Sequence, residues 1–271
     1  MNDNTAYRDL QEIIPGLEGF VMDREKADGG FGATPKLPAT VEDTYHGLRI
    51  ISAISGITGS SLWRETTQKD SLRAFLAGYM QGDLELGPRG IFQLLWCMKS
   101  CGILPENSTC HAILQRRVLH DCRRENLYFS IRATVEIIDR EPGILETACS
   151  TGAGRPFSGI LRLRMMDVYI DRQLNQHRIP PRQASEWFAA CQNPDGGFGF
   201  MPGTTSYIEN CHYGLAALAM LGSRPANSPA CWQFIMGCRT KSGGFSRNSN
   251  AAPFLDATWH ATRSLLFLNH S

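Results

Sequence analysis

Trp187-Phe-Ala-Ala-Cys-Gln-Asn-Pro-Asp-Gly-Gly-Phe-Gly199 decides the fold, because its ending recurs. Asp28-Gly-Gly-Phe-Gly32 precedes it and Ser242-Gly-Gly-Phe-Ser246 follows it. Each copy ends a segment that reads as a helix: Gly19-Phe-Val-Met-Asp-Arg24, Phe188-Ala-Ala-Cys-Gln192 and Phe234-Ile-Met-Gly-Cys-Arg239. Some ten residues further on, each copy opens another: Glu42-Asp-Thr-Tyr-His-Gly-Leu48, Glu209-Asn-Cys-His-Tyr-Gly-Leu215 and Asp256-Ala-Thr-Trp-His-Ala-Thr262. Self-similarity at a fixed spacing is the mark of a repeat architecture.

Between the outer copies the apolar residues still recur every three or four positions, the helical period. Leu72–Met80, Gly90–Lys99, Cys110–His120, Leu127–Ile138, Phe157–Leu174 and Arg182–Cys191 read as helices. Pro105, Pro142, Pro181 and Pro225 fall between them, where a missing N–H costs nothing. No period-2 pattern marks a strand. Pairing the segments gives six helical hairpins, with inner helices starting near Thr44, Gly90, Tyr128, Phe157, Cys211 and Thr258. A hairpin of this size cannot bury its apolar face alone, so the repeats must stack. The expected fold is all-α: one domain, residues 1–271, an (α/α)6 toroid of six helical hairpins with Gly-Gly-Phe-Gly loops. An open solenoid of 34-residue repeats is excluded by the absence of that period. Phe31, Phe198 and Phe245 are placed to plug each loop into the core. The inner helices would all start at one mouth, where free N–H groups favour an anion such as a diphosphate.

Composition narrows the function. The 27 basic and 26 acidic residues nearly cancel, so no electrostatic footprint for nucleic acid or an anionic membrane is present. No segment approaches the ~20 apolar residues of a membrane span. The polar start, Met1–Leu10, does not read as a signal peptide, which makes the cytoplasm the expected location. Nine cysteines are then expected as reduced thiols, most of them small buried hydrophobes.

The Trp187–Gly199 string and its two companions resemble the repeat of the protein prenyltransferase β-subunit and squalene (terpene) cyclase superfamily. The likeness is clearest over residues 17–56 and 183–269. Elsewhere it rests on periodicity and on Ser130-Ile-Arg-Ala-Thr134, similar to an inner-helix start whose arginine faces the cavity. For the transferase branch, the resemblance implies a prenyl diphosphate or other isoprenoid as substrate and an α-type helical subunit as partner. It also implies a zinc ion, held by an Asp-x-Cys and a histidine one repeat on, that activates a substrate thiol. The matching residues are Glu209, Cys211 and His260, with glutamate in place of aspartate. The family's basic residues before that motif are replaced by Met201, Pro202 and Thr204, so charge for a diphosphate would come from Arg132, Arg155, Arg162 and Arg164. Tyr45, Tyr213 and Trp259, read as one repeat position, would line the isoprenoid cavity. For the cyclase branch, an alkene would be protonated from Thr40-Val-Glu-Asp-Thr44, by Glu42 or Asp43. The third reading is a non-catalytic toroid that binds a partner, its cavity filled by side chains.

Overall fold

The computed structural model describes residues 3–81, 86–118, 124–138, 157 and 159–269. Among these residues, six inner helices follow in chain order: α2 (Val41–Thr58), α5 (Pro88–Ser100), α7 (Arg124–Glu136), α8 (Leu161–Gln173), α10 (Ile208–Met220) and α12 (Leu255–Asn269). Each packs on the next, and α12 packs back on α2, which closes the ring. Outside it, α1 (Asp3–Met22) covers α2 and α12, α4 (Asp70–Gln81) covers α5, and α6 (Asn107–Val118) covers α7. In the same way α9 (Pro181–Ala190) covers α10 and α11 (Ser228–Gly237) covers α12. A short α3 (Leu62–Thr67) links α2 to α4. Strand among the described residues amounts to β1 (Phe31–Gly32) paired antiparallel with β2 (Ala39–Thr40).

The expected toroid is therefore present, with adjustments at its ends. The inner helix expected from Phe157 starts at Leu161, and the outer helix ending near Met22 begins at Asp3. Its polar residues disguise a helical stripe, in which Leu10, Ile13, Ile14, Leu17, Phe20 and Val21 recur at helical spacing and are all buried. Pro142 and Arg155 lie outside the described residues.

The three glycine loops are built alike. Lys26, Asn193 and Thr240 each donate an N–H to the carbonyl of the second glycine, at 3.0, 2.8 and 2.9 Å. The following Phe31, Phe198 and Phe245 are fully buried, as expected of plugs. Phe31 and Phe198 lie against Gly47 and Gly214, where a Cβ would sit 2.9 and 2.5 Å from the rings. The plug also hydrogen-bonds to the inner helix. Phe31 N–H donates to Thr44 Oγ1 at 3.0 Å and Phe245 N–H to Thr258 Oγ1 at 2.9 Å.

Entry into α2 is set by a cap. Thr40 Oγ1 accepts from Asp43 N at 3.0 Å and donates to the Asp43 carboxylate at 2.7 Å. Asp43 thus works at the helix start, where its charge also suits the dipole. Thr40→Ala should cost about 1 kcal/mol in urea denaturation. A midpoint equal to wild type would show that the cap contributes nothing.

Candidate functional site

Because every inner helix starts at the same end, residues of equal rank form layers across the ring. The second residues are Glu42, Arg89, Glu125, Arg162, Glu209 and Asp256, all charged. They form a polar rim. Arg89 pairs with Glu42 at 2.6 Å and Arg162 with Glu125 at 3.1 Å. Arg247, from the third glycine loop, pairs with Glu209. Asp256 accepts from the Ala257 N–H at 2.6 Å. The rim bounds a basin of about 460 Å³, which Ile160, Phe200, Tyr207 and Tyr213 also line.

The fifth and sixth residues of the helices make the next layers down. They form an aromatic belt: Tyr45, Phe92, Tyr128, Phe129, Tyr213 and Trp259. Ring centroids stand 5.9 Å apart for Tyr45–Phe92, 5.8 Å for Phe92–Phe129 and 5.0 Å for Tyr128–Phe129. This inner cavity holds only about 60 Å³. Arg89, Arg162, Tyr213 and His260 line both it and the basin above. The expected grouping of Tyr45, Tyr213 and Trp259 needs one correction. Tyr45 and Trp259 share the fifth rank with His212, whereas Tyr213 stands one residue on, in rank with His46 and His260.

Three imidazoles belong to this level. His46 and His260 are buried and His212 is partly so. His212 Nδ1 lies 2.6 Å from His260 Nδ1, and the His46 and His260 rings are 6.4 Å apart. His46 Nδ1 is buried with no hydrogen-bond partner among the described residues. Burial, then the adjacent His260, Arg89 and Arg49, hold His46 well below the usual imidazole range. Burial and the same kind of cationic surroundings do so for His212. Burial first, then Arg89 and Arg162, lower His260 to about 3. All three are neutral at pH 7.

The structure does not bring Glu209, Cys211 and His260 together. The helix starts at Ile208, so Glu209 and Cys211 both lie inside it, two residues and about 200° apart. Glu209 turns to the rim and Arg247. Cys211 turns outward into the core, fully buried beside Cys231 and Cys238. It has the rank of Thr44 and Thr258 and, like them, faces the plug's N–H, here that of Phe198. Burial and the neighbouring thiols raise it well above the ordinary thiol range, so it stays protonated. His260 faces the ring interior and is occupied by His212. Among the described residues, no three His, Cys, Asp or Glu side chains are gathered so as to hold a metal ion. This donor set does not fit zinc, and no step is derived through one.

Arg132 does face the interior, bound by Glu136 through bonds of 2.6 and 2.8 Å. Arg164 instead stacks on Phe157 and Trp187, at 4.5 and 4.0 Å. Glu42 is tied to Arg89 and Asp43 to Thr40. Arg89, Arg49 and Phe92 were not legible as site residues, although counting from each helix start aligns them with residues that were.

The family comparison agrees with this architecture. The model of the prenyltransferase alpha-alpha toroid domain matches residues 4–125, 159–253 and 210–270. The chain belongs to that family. A search of curated proteins gave no significant match. No helix among the described residues is long and apolar enough to cross a membrane.

Proposed function

We propose that this protein binds a prenyl diphosphate and transfers the prenyl group to a thiol or other nucleophile. The supporting observation is the basin, whose volume lies in the ~300–1,000 Å³ range of small-molecule sites. It sits on an aromatic belt, with Arg89 and Arg162 where the two meet. An amphiphile with an anionic head and an apolar chain matches that order. Arg89 and Arg162 exchange their rim carboxylates for the diphosphate, and the chain rests on Phe200, Tyr213 and the belt. The allylic C–O bond breaks with its electron pair leaving on the diphosphate. The acceptor's lone pair forms the new bond to carbon. Its proton passes to the departing diphosphate, which is far more basic than His260 in its buried, cationic setting.

The cyclase alternative has less support. Its carbocation needs open aromatic faces, and the chain's own cations cover them. Arg49 lies over Trp96 and Trp259 at 4.8 and 4.7 Å, and Arg132 over Phe92 at 4.2 Å. The small inner cavity favours a second reading, a toroid that binds a partner without catalysis.

Titration with prenyl diphosphates of ten, fifteen and twenty carbons, read by tryptophan fluorescence and followed by product analysis, tests the proposal. Binding of at least one is expected. Arg162→Gln should weaken it roughly 10- to 100-fold, the loss of one charge-assisted contact. If none binds, the non-catalytic reading takes over.

A further inference from the structure

Below the aromatic belt, the ninth residues of the inner helices are Arg49, Trp96, Arg132, Tyr169, Ala216 and Arg263. Three guanidinium groups therefore share one layer of the ring. Arg132 is neutralised by Glu136. Arg49 and Arg263 have no carboxylate within ion-pair distance among the described residues.

Their flat faces are held in place. Arg49 reaches from α2 across to α12 and α5, lying 4.7 Å from the Trp259 ring, 4.8 Å from Trp96 and 5.6 Å from Tyr45. Trp259 is one helical turn before Arg263, so the two cations flank the same stretch of α12. Arg263 stacks 4.7 Å over Phe267. Stacking covers the face of a guanidinium and leaves its N–H donors along the edge. Neither side chain donates to another described residue, so these edges are uncommitted. Burial, with Arg49 and Arg132 nearby, lowers Arg263 from its ordinary value. Arg49 and Arg263 are both partly buried, and even a partly desolvated cation without a partner is costly. Three of them against one carboxylate leave two charges uncompensated.

We propose that the layer of Arg49, Arg132 and Arg263 binds an oxyanion of two or more charges, of the phosphate or diphosphate type. The site is separate from Arg89 and Arg162. It lies seven residues further along the inner helices, about 10 Å at the helical rise. It stands whether or not the prenyl-transfer reading holds.

The test is thermal unfolding of the full chain with inorganic phosphate or diphosphate, ionic strength held constant with sodium chloride. Wild type should gain about 5 °C at a hundredfold excess over Kd. Arg49→Gln and Arg263→Gln should lose that gain, and Arg162→Gln should keep it. Without anion, Arg263→Gln should melt above wild type, because like-charge repulsion is relieved. No gain in wild type overturns the site. So does a gain abolished by Arg162→Gln but kept by Arg49→Gln and Arg263→Gln, which would put the anion in the mouth. A fifteen-carbon prenyl diphosphate serves as the second arm. If its stabilisation is lost in Arg263→Gln and kept in Arg162→Gln, the deep layer takes the head group. That result supports this site and overturns the head's placement at the rim.

Discussion

Moving the protein from pH 7.5 to pH 5 should remove about 2 kcal/mol of stability for each imidazole that stays neutral in the fold. His46, His212 and His260 are all held neutral, His260 down to about 3. In the unfolded chain each titrates near 6.5. The unfolded state therefore takes up protons that the folded state refuses. The stability is present above pH 6.5 and is lost as pH falls below it. Among the described residues no carboxylate bonds to these rings: Glu136 is taken by Arg132, the acids of the rim stand above in the basin, and the charges acting on the imidazoles are Arg49, Arg89, Arg132, Arg162 and Arg263. Asp43, raised by burial, works the other way, but in the carboxylate range. Against a typical total of ~5–15 kcal/mol, three such terms are large. Urea denaturation at the two pH values measures them, and His212→Phe should flatten the slope. Equal midpoints in wild type would mean that these groups are not buried neutral.

This histidine group also shows how far the sequence could be read. The ring was legible because three loops carry the same glycines and the same plug, and a helical period fills the gaps between them. The helix starts were legible to within four residues, which suffices for a fold. It does not suffice for a site, where one residue is 100° of rotation. Aromatic character groups Tyr213 with Tyr45 and Trp259, whereas rank groups Tyr45 and Trp259 with His212. The zinc set failed on the same ground. Glu209 and Cys211 can meet only if the helix begins around them, and it begins at Ile208. Cys211 then takes a threonine's place facing a loop N–H. Of the charged rim, only Glu42, Glu209 and Asp256, which follow glycine loops, were legible. Half of it comes from α5, α7 and α8, which follow no glycine loop and offered no motif from which to count.

Gly243→Ala should be one of the most damaging single-methyl changes among the described residues, because it strikes where the ring closes. Gly243 has φ +88°, a left-handed conformation that glycine tolerates and alanine resists. A Cβ there would lie 2.1 Å from the Gly16 carbonyl oxygen and 2.4 Å from its carbon, both backbone atoms of α1. No rotamer change can relieve that overlap. The same contact recurs around the ring. Gly29 meets the backbone of Ser71 in α4, and Gly196 meets Ala230 in α11, so each loop seats on the outer helix of the next repeat. At Gly243 the next repeat is the first, and the contact joins the two ends of the chain. Conformational strain of ~1–3 kcal/mol adds to an overpacking cost of similar size, so a loss of about 3–5 kcal/mol is expected in urea denaturation. Gly19→Ala is the control. It lies in the same α1, has nothing within 4 Å of its Cβ and keeps a helical φ. There alanine should gain up to about 1 kcal/mol from helix propensity. A Gly243→Ala midpoint within error of wild type would show that α1 does not seat on this loop, and the closure of the ring through α1 would have to be redrawn.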